Sequence, residues 1–146
     1  GVAKDSDITA DDEYLEPFRK GIEAGADSVM ISSAIFTQID PDQEGVFSKK
    51  IITGMLRGDL GFDGVVISDD LGAAAAVGDV KPGDRAVRFF AAGGDLLINA
   101  DPSLMDEMLK ATVAWAAKDQ AHAARLAESA GRVLALKESA GLLTCS

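Results

Sequence analysis

The chain has 146 residues, 47% of them hydrophobic and 26% charged, with a formal net charge of −10. This is one domain's worth of an ordinary globular composition, and the acidic balance excludes the basic face that nucleic-acid recognition needs. No apolar run reaches the roughly 20 residues of a membrane-spanning helix. The single cysteine, Cys145, excludes an internal disulfide framework and a Cys-rich metal site.

The opening stretch, GVAKDSDITADDE, carries no initiator Met and no signal peptide, and reads as the interior of a longer protein. Thr9 with Asp12 has the spacing of a capping box, and Leu15, Phe18 and Ile22 then form the apolar stripe of a first helix. Three segments share one plan: GIEAGADSVMISS (21–33), GDLGFDGVVISDD (58–70) and FAAGGDLLINAD (90–101). Each runs from a helix end through a turn with Gly and Asp into a short apolar run ending in Ser, Asp or Asn. The glycines suit the left-handed residue that closes a helix. Residues 29–31, 65–67 and 96–98 are apolar in succession rather than alternately, which predicts strands covered on both faces, as in parallel sheets.

Helices are expected between and after these strands. Ser48 is placed as the N-cap of one that carries Ile51, Ile52, Met55 and Leu56. Another spans 82–92, with Pro82 in its first turn. Met105, Met108, Thr112 and Trp115 mark the face of a third, and Leu126, Val133, Leu134 and Leu136 that of a fourth. The order α-β-α-β-α-β-α-α predicts an α/β fold with a parallel sheet, its strands at about 28–32, 64–69 and 95–99 and neighbours in chain order.

Parallel α/β sheets carry their chemistry at the C-terminal ends of the strands. Those ends hold Ser32 and Ser33, then Ser68, Asp69 and Asp70, then Asn99 and Asp101. Two adjacent carboxylates at such an end either face a ligand or cap the loop that follows.

At this point the residues carry a family resemblance. MLRGDLGFDGVVISDDLGAAAAV (55–77) resembles the nucleophile segment of glycoside hydrolase family 3, above all its β-N-acetylglucosaminidase branch. The pattern L-R-x-x-L-G-F-x-G-V-x-x-S-D-D-L is matched from Leu56 to Leu71. The flanking stretches GADSVMISSAIFTQIDPDQEGVFSKKII, AVRFFAAGGDLLINAD and RVLALKESAGLL are similar to the neighbouring strands and helices of that family. The resemblance implies a retaining β-glycosidase with Asp69 as its nucleophile, a carboxylate that attacks the anomeric carbon. It sets Met30 and Asp70 on the substrate side of the site, although Asp70 also reads as a cap on backbone amides. The chain has Ile31-Ser32-Ser33 where the family commonly has Pro-Ala-His. No cofactor and no metal are implied, and the partner is a carbohydrate, of the kind met in bacterial cell-wall turnover. The compartment, bacterial cytoplasm or cell envelope, is left open.

The resemblance also implies what the chain lacks. A retaining glycosidase needs an acid/base group about 5 Å from its nucleophile. In this branch that is a His on an upstream loop, and the sugar-binding cations lie upstream too. His122, in KDQAHAARLAE, reads as an interhelical histidine and not as that group. The three strands are placed as the sixth to eighth of a (β/α)8 TIM barrel, so residues 1–146 are expected to be its C-terminal portion. They should pair with the missing N-terminal part or self-associate. Other readings are a different family 3 activity of the β-glucosidase type, a phosphate-binding α/β barrel and an inert half-barrel. The acids at the strand ends weigh against the phosphate reading, because they repel anions.

Overall fold

The computed structural model describes residues 2–143, and Cys145 lies outside them. In chain order the main elements are β1 (Lys4–Asp5), α1 (Glu16–Glu23), β2 (Ser28–Ile31) and β3 (Ile35–Phe36). A π-helix (Lys50–Asp59), β4 (Val65–Asp70) and α2 (Pro82–Ala92) follow. The chain then runs through β5 (Leu96–Ile98), α3 (Met105–Ala116) and α4 (Gln120–Ser139).

The three expected strands form one parallel sheet in the order β2-β4-β5. Each is preceded by a glycine with positive φ, Gly25, Gly61 and Gly93, two residues ahead of Asp27, Asp63 and Asp95. The sequence repeat is therefore a repeated backbone path. Gly93 (φ 113°) closes α2, and a Cβ there would also lie 2.6 Å from Thr53 Oγ1, so both its conformation and its surroundings require glycine. A second sheet, β1 beside β3, was not foreseen. Its two-residue strands are too short to leave a hydrophobic pattern.

The strands are covered fully on one face and only in part on the other. Val66, 0% exposed, lies in the core with Ile31, and Val29 and Leu97 pack against it; this face meets Phe89 and Ala86 of α2, Ile52 and Leu56 of the π-helix, and Met108 of α3. The other row, Met30–Ile67–Leu96 in register, is open: Met30 is 64% exposed, Leu96 36% and Ile98 42%. On that same face Val65 is 1% exposed, so the second face is covered at its lower end and open from Met30 and Leu96 upward.

Several helical details differ from expectation. The capping box does not form. Asp12 itself caps a single 3₁₀ turn, accepting from Tyr14 N at 2.9 Å, and α1 starts only at Glu16 with Pro17 in its first turn. Phe18 is exposed, at 49%, because it lines an apolar groove of about 260 Å³ with Tyr14, Met30 and Met55 rather than entering the core. Ser48 Oγ accepts from Ile51 N at 3.1 Å, as an N-cap should, while donating to Asp40 Oδ2 at 2.5 Å. The helix after it is wound as a π-helix, its last bond running from Leu60 N to the Met55 carbonyl five residues back. Gly54 and Gly58, poor α-helix formers, sit within it. Met105 and Leu134 face solvent, whereas Met108, Thr112 and Trp115 are buried as expected.

The opposite end of the sheet from the strand-end acids is held by charge. The Asp95 side chain is fully buried and meets Arg57 Nη2 at 2.5 Å, Arg125 Nη2 at 2.9 Å and Arg132 Nη1 at 3.3 Å. Its Oδ2 also accepts from Val66 N at 2.9 Å, so one carboxylate ties the π-helix, β4, β5 and α4 together. Burial pulls Arg57 below the ordinary arginine range against the attraction of Asp95.

Candidate active site

Asp69 and Asp70 are the last two residues of β4 and do different things. Asp69 reaches sideways to the end of β2. Its Oδ2 accepts a short hydrogen bond from Ser33 Oγ and a longer one from Ser33 N at 3.4 Å, and its Oδ1 accepts from Asp70 N at 2.8 Å. Ser33 is 3% exposed and Asp69 is half-buried.

A bulge in β4 brings this about. Ile67 pairs with Leu96 but Asp70 pairs with Ile98, so three residues of β4 are spent against two of β5. Ser68 Oγ fills the broken ladder by accepting from Ile98 N at 2.9 Å. Bulges of this kind re-aim a side chain at a strand end, and here the re-aimed pair is Asp69 and Asp70.

Asp70 turns into the loop. Its Oδ1 accepts from Gly72 N at 2.8 Å, Ala73 N at 3.2 Å and Ala100 N at 3.0 Å. The bond from Ala100 N, with those from Gly72 and Ala73 and the charge of Arg85, holds its carboxyl below the ordinary range against partial burial. This is the amide-binding role that the sequence offered beside the substrate-side one.

Arg85 closes the loop from beneath. It is 7% exposed and donates to the carbonyls of Val80 (2.7 Å), Leu71 (2.8 Å) and Gly72 (3.1 Å). At the same loop, a Cβ on Gly72 would fall 1.9 Å from Asn99 Oδ1 and 3.0 Å from Asp101 N, so the Asn99 side chain and the backbone after β5 leave no room for one as they stand. Asn99 Oδ1 accepts from Asp101 N at 3.1 Å, while its buried Nδ2 has no partner among the described residues.

Met30 stands two rows below this end, exposed on the open sheet face and lining the apolar groove. His122 is remote from Asp69's partners. Its ring stacks on Trp115 with centroids 4.4 Å apart, and Nδ1 lies 3.1 Å from the Trp115 carbonyl, which makes it an α3–α4 contact. Ser33 and Arg85 are the residues that sequence reasoning missed. Ser33 was visible as a strand-end serine, but its partner lies 36 residues away. Arg85 had no signal beyond its position in a helix.

Among the described residues, no cluster of three His, Cys, Asp or Glu side chains could hold a metal ion, and no helix is long and apolar enough to cross a membrane. What the geometry provides is a fixed carboxylate at the C-terminal end of a parallel strand, followed by a loop anchored through its backbone.

That arrangement defines an α/β protein with a strand-end carboxylate site, and comparison with known proteins gives its family. Residues 4–136 match the glycosyl hydrolase family 3 N-terminal domain, and the chain belongs to that family. It is 41% identical over 99 residues to a beta-hexosaminidase of Xanthomonas oryzae pv. oryzae, a match covering 68% of this chain and 29% of the relative. The crystal structure of a beta-N-acetylhexosaminidase from Beutenbergia cavernae superposes with a TM-score of 0.91 at 46% identity, over 94% of this chain and 41% of that one. A family 3 beta-N-acetylglucosaminidase from Paenibacillus sp. FPU-7 superposes at 0.81 with 31% identity, over 99% of this chain and 29% of that one. The chain thus spans under a third of the length of the hexosaminidase and well under half of the Beutenbergia protein.

Proposed function

We propose that these residues carry the nucleophile of a retaining β-glycosidase, Asp69, acting on terminal β-linked N-acetylglucosamine. The observation that carries this reading is the seat of Asp69: a carboxylate at a strand's C-terminal end, gripped on Oδ2 by Ser33 and on Oδ1 by the Asp70 amide. A group that must meet an anomeric carbon along one line needs that restraint. The names of the relatives, hexosaminidases and an N-acetylglucosaminidase, support the sugar class.

In the reaction, an Asp69 oxygen forms a bond to the anomeric carbon as the glycosidic bond breaks, and the aglycone oxygen takes a proton from a general acid. Water then attacks the same carbon, the same group acting as base, and the carboxylate is released. Neither His122, stacked on Trp115, nor Asp70, bound to three amides, is free to serve as that acid/base. In this proposal it comes from outside residues 1–146, together with the sugar-binding cations. The β2-β4-β5 sheet then forms the sixth to eighth strands of the barrel, and the open row of Met30, Ile67 and Leu96 faces the barrel interior.

The test is Asp69→Ala in the full-length protein, assayed on an aryl N-acetyl-β-glucosaminide. Turnover should fall by several orders of magnitude without loss of the cooperative thermal transition. An Ala variant that retains wild-type turnover would contradict the assignment.

A further inference from the structure

We infer that Ser33 is a positioning residue for the second half of this reaction, setting which oxygen of Asp69 carries the sugar and easing its release. The inference rests on Asp69 being the nucleophile. Ser33 places two donors, Oγ and N, on Asp69 Oδ2, whereas Oδ1 receives one donor, Asp70 N. The grips come from different segments, the turn after β2 and β4 itself, and fall on different oxygens, so turning the carboxylate about its own axis breaks one of them. Oδ2, the more heavily loaded atom, is the weaker nucleophile, and Oδ1 attacks.

The consequence is directional. In the glycosyl-enzyme, Oδ1 is the ester oxygen and Oδ2 the carbonyl oxygen. When water attacks the anomeric carbon, a new C–O bond forms and the bond to Oδ1 breaks. Its electron pair returns to the carboxylate, and the water proton passes to the imidazole or carboxylate base of the assembled site. Charge then reappears on Oδ2, where the hydroxyl of the buried Ser33 strengthens its hydrogen bond to an anion. The same hydrogen bond gives less to the first step, in which the carboxylate gives up charge. Ser33 should therefore speed release of the sugar more than its capture.

The experiment uses the full-length protein and an aryl N-acetyl-β-glucosaminide with a good leaving group. In Ser33→Ala, kcat should fall by roughly 10–100-fold while kcat/KM changes by less than about 3-fold. KM should fall with kcat, a burst of aryl alcohol should precede steady state, and the glycosyl-enzyme should accumulate in intact-mass spectra. Ser33→Thr, which keeps the hydroxyl, should recover most of kcat, and thermal melting establishes that each variant is folded. An unchanged kcat, or equal losses in kcat and kcat/KM with no accumulated intermediate, would overturn the role of Ser33. If a fluorinated-sugar inactivator labels a residue other than Asp69, the nucleophile assignment and this inference both fall. Label on Asp69 with wild-type kinetics in Ser33→Ala removes the inference alone.

Discussion

Ala100 N donates to Asp70 Oδ1 at 3.0 Å, joining the residue that follows Asp69 to the loop beyond the neighbouring strand β5. Leu71 N adds a second link of the same kind, to the Ile98 carbonyl at 2.9 Å. The last turn of β4 therefore cannot move without β5. Asp69 is thus held from two sides, directly by Ser33 just after β2 and, through Asp70 and Leu71, by residues 98–100 at the end of β5.

Asp70→Ala strands three amides and should destabilise the fold by about 1–3 kcal/mol, read by chemical denaturation. Asp70→Asn keeps an acceptor and should recover much of the loss. Activity should fall in the Ala variant through misplacement of Asp69.

The same bonds set a pH dependence. The Asp70 carboxyl is held below its ordinary value of 3.8, so the folded state binds this proton less readily than the unfolded state. Its contribution is full above the ordinary value and is lost as pH falls through the lowered one. The stability difference between wild type and Asp70→Asn should therefore narrow on acidification between about pH 5 and 2. A difference that stays constant across that range would exclude this residue as its source.

Asp95→Ala should cost about 3–5 kcal/mol, the usual consequence of leaving buried charges unpaired. Three arginines lose their shared partner and Val66 N its acceptor. Denaturation midpoints of single variants decide this. A loss under about 1 kcal/mol, as for exposed ion pairs, would mean that the cluster is dispensable.

Much of the architecture could be read from the chain because its signals are local. The Gly-x-Asp turns at 25–27, 61–63 and 93–95 announced three strands, and their apolar runs announced a parallel sheet. The bulge between Ile67 and Asp70 and the Ser33 link were illegible because both depend on register between segments far apart in sequence, Ile67 with Leu96 and Ser33 with Asp69. The two-stranded β1–β3 sheet was too short to carry a pattern. Phe18 misled because an apolar stripe on a helix says that something is covered, not by what.

The open sheet face bears on the behaviour of the chain produced alone. Met30, Leu96 and Ile98, with Tyr14 and Phe18 beside the groove, leave a large apolar surface in water. The isolated 146-residue chain, 15.1 kDa, should scatter light as a dimer or larger species and should not hydrolyse an aryl N-acetyl-β-glucosaminide. A monomer with enzyme-like turnover would mean that the acid/base group lies within these residues.

Mass-spectrometric mapping of a mechanism-based label shows directly whether Asp69 forms the glycosyl-enzyme. The full-length protein, treated with a fluorinated N-acetylglucosaminyl inactivator and digested with trypsin, should yield one modified peptide, residues 58–85, with the sugar on Asp69. Modification of another carboxylate, or inactivation with no covalent adduct, would show that Asp69 is not the nucleophile.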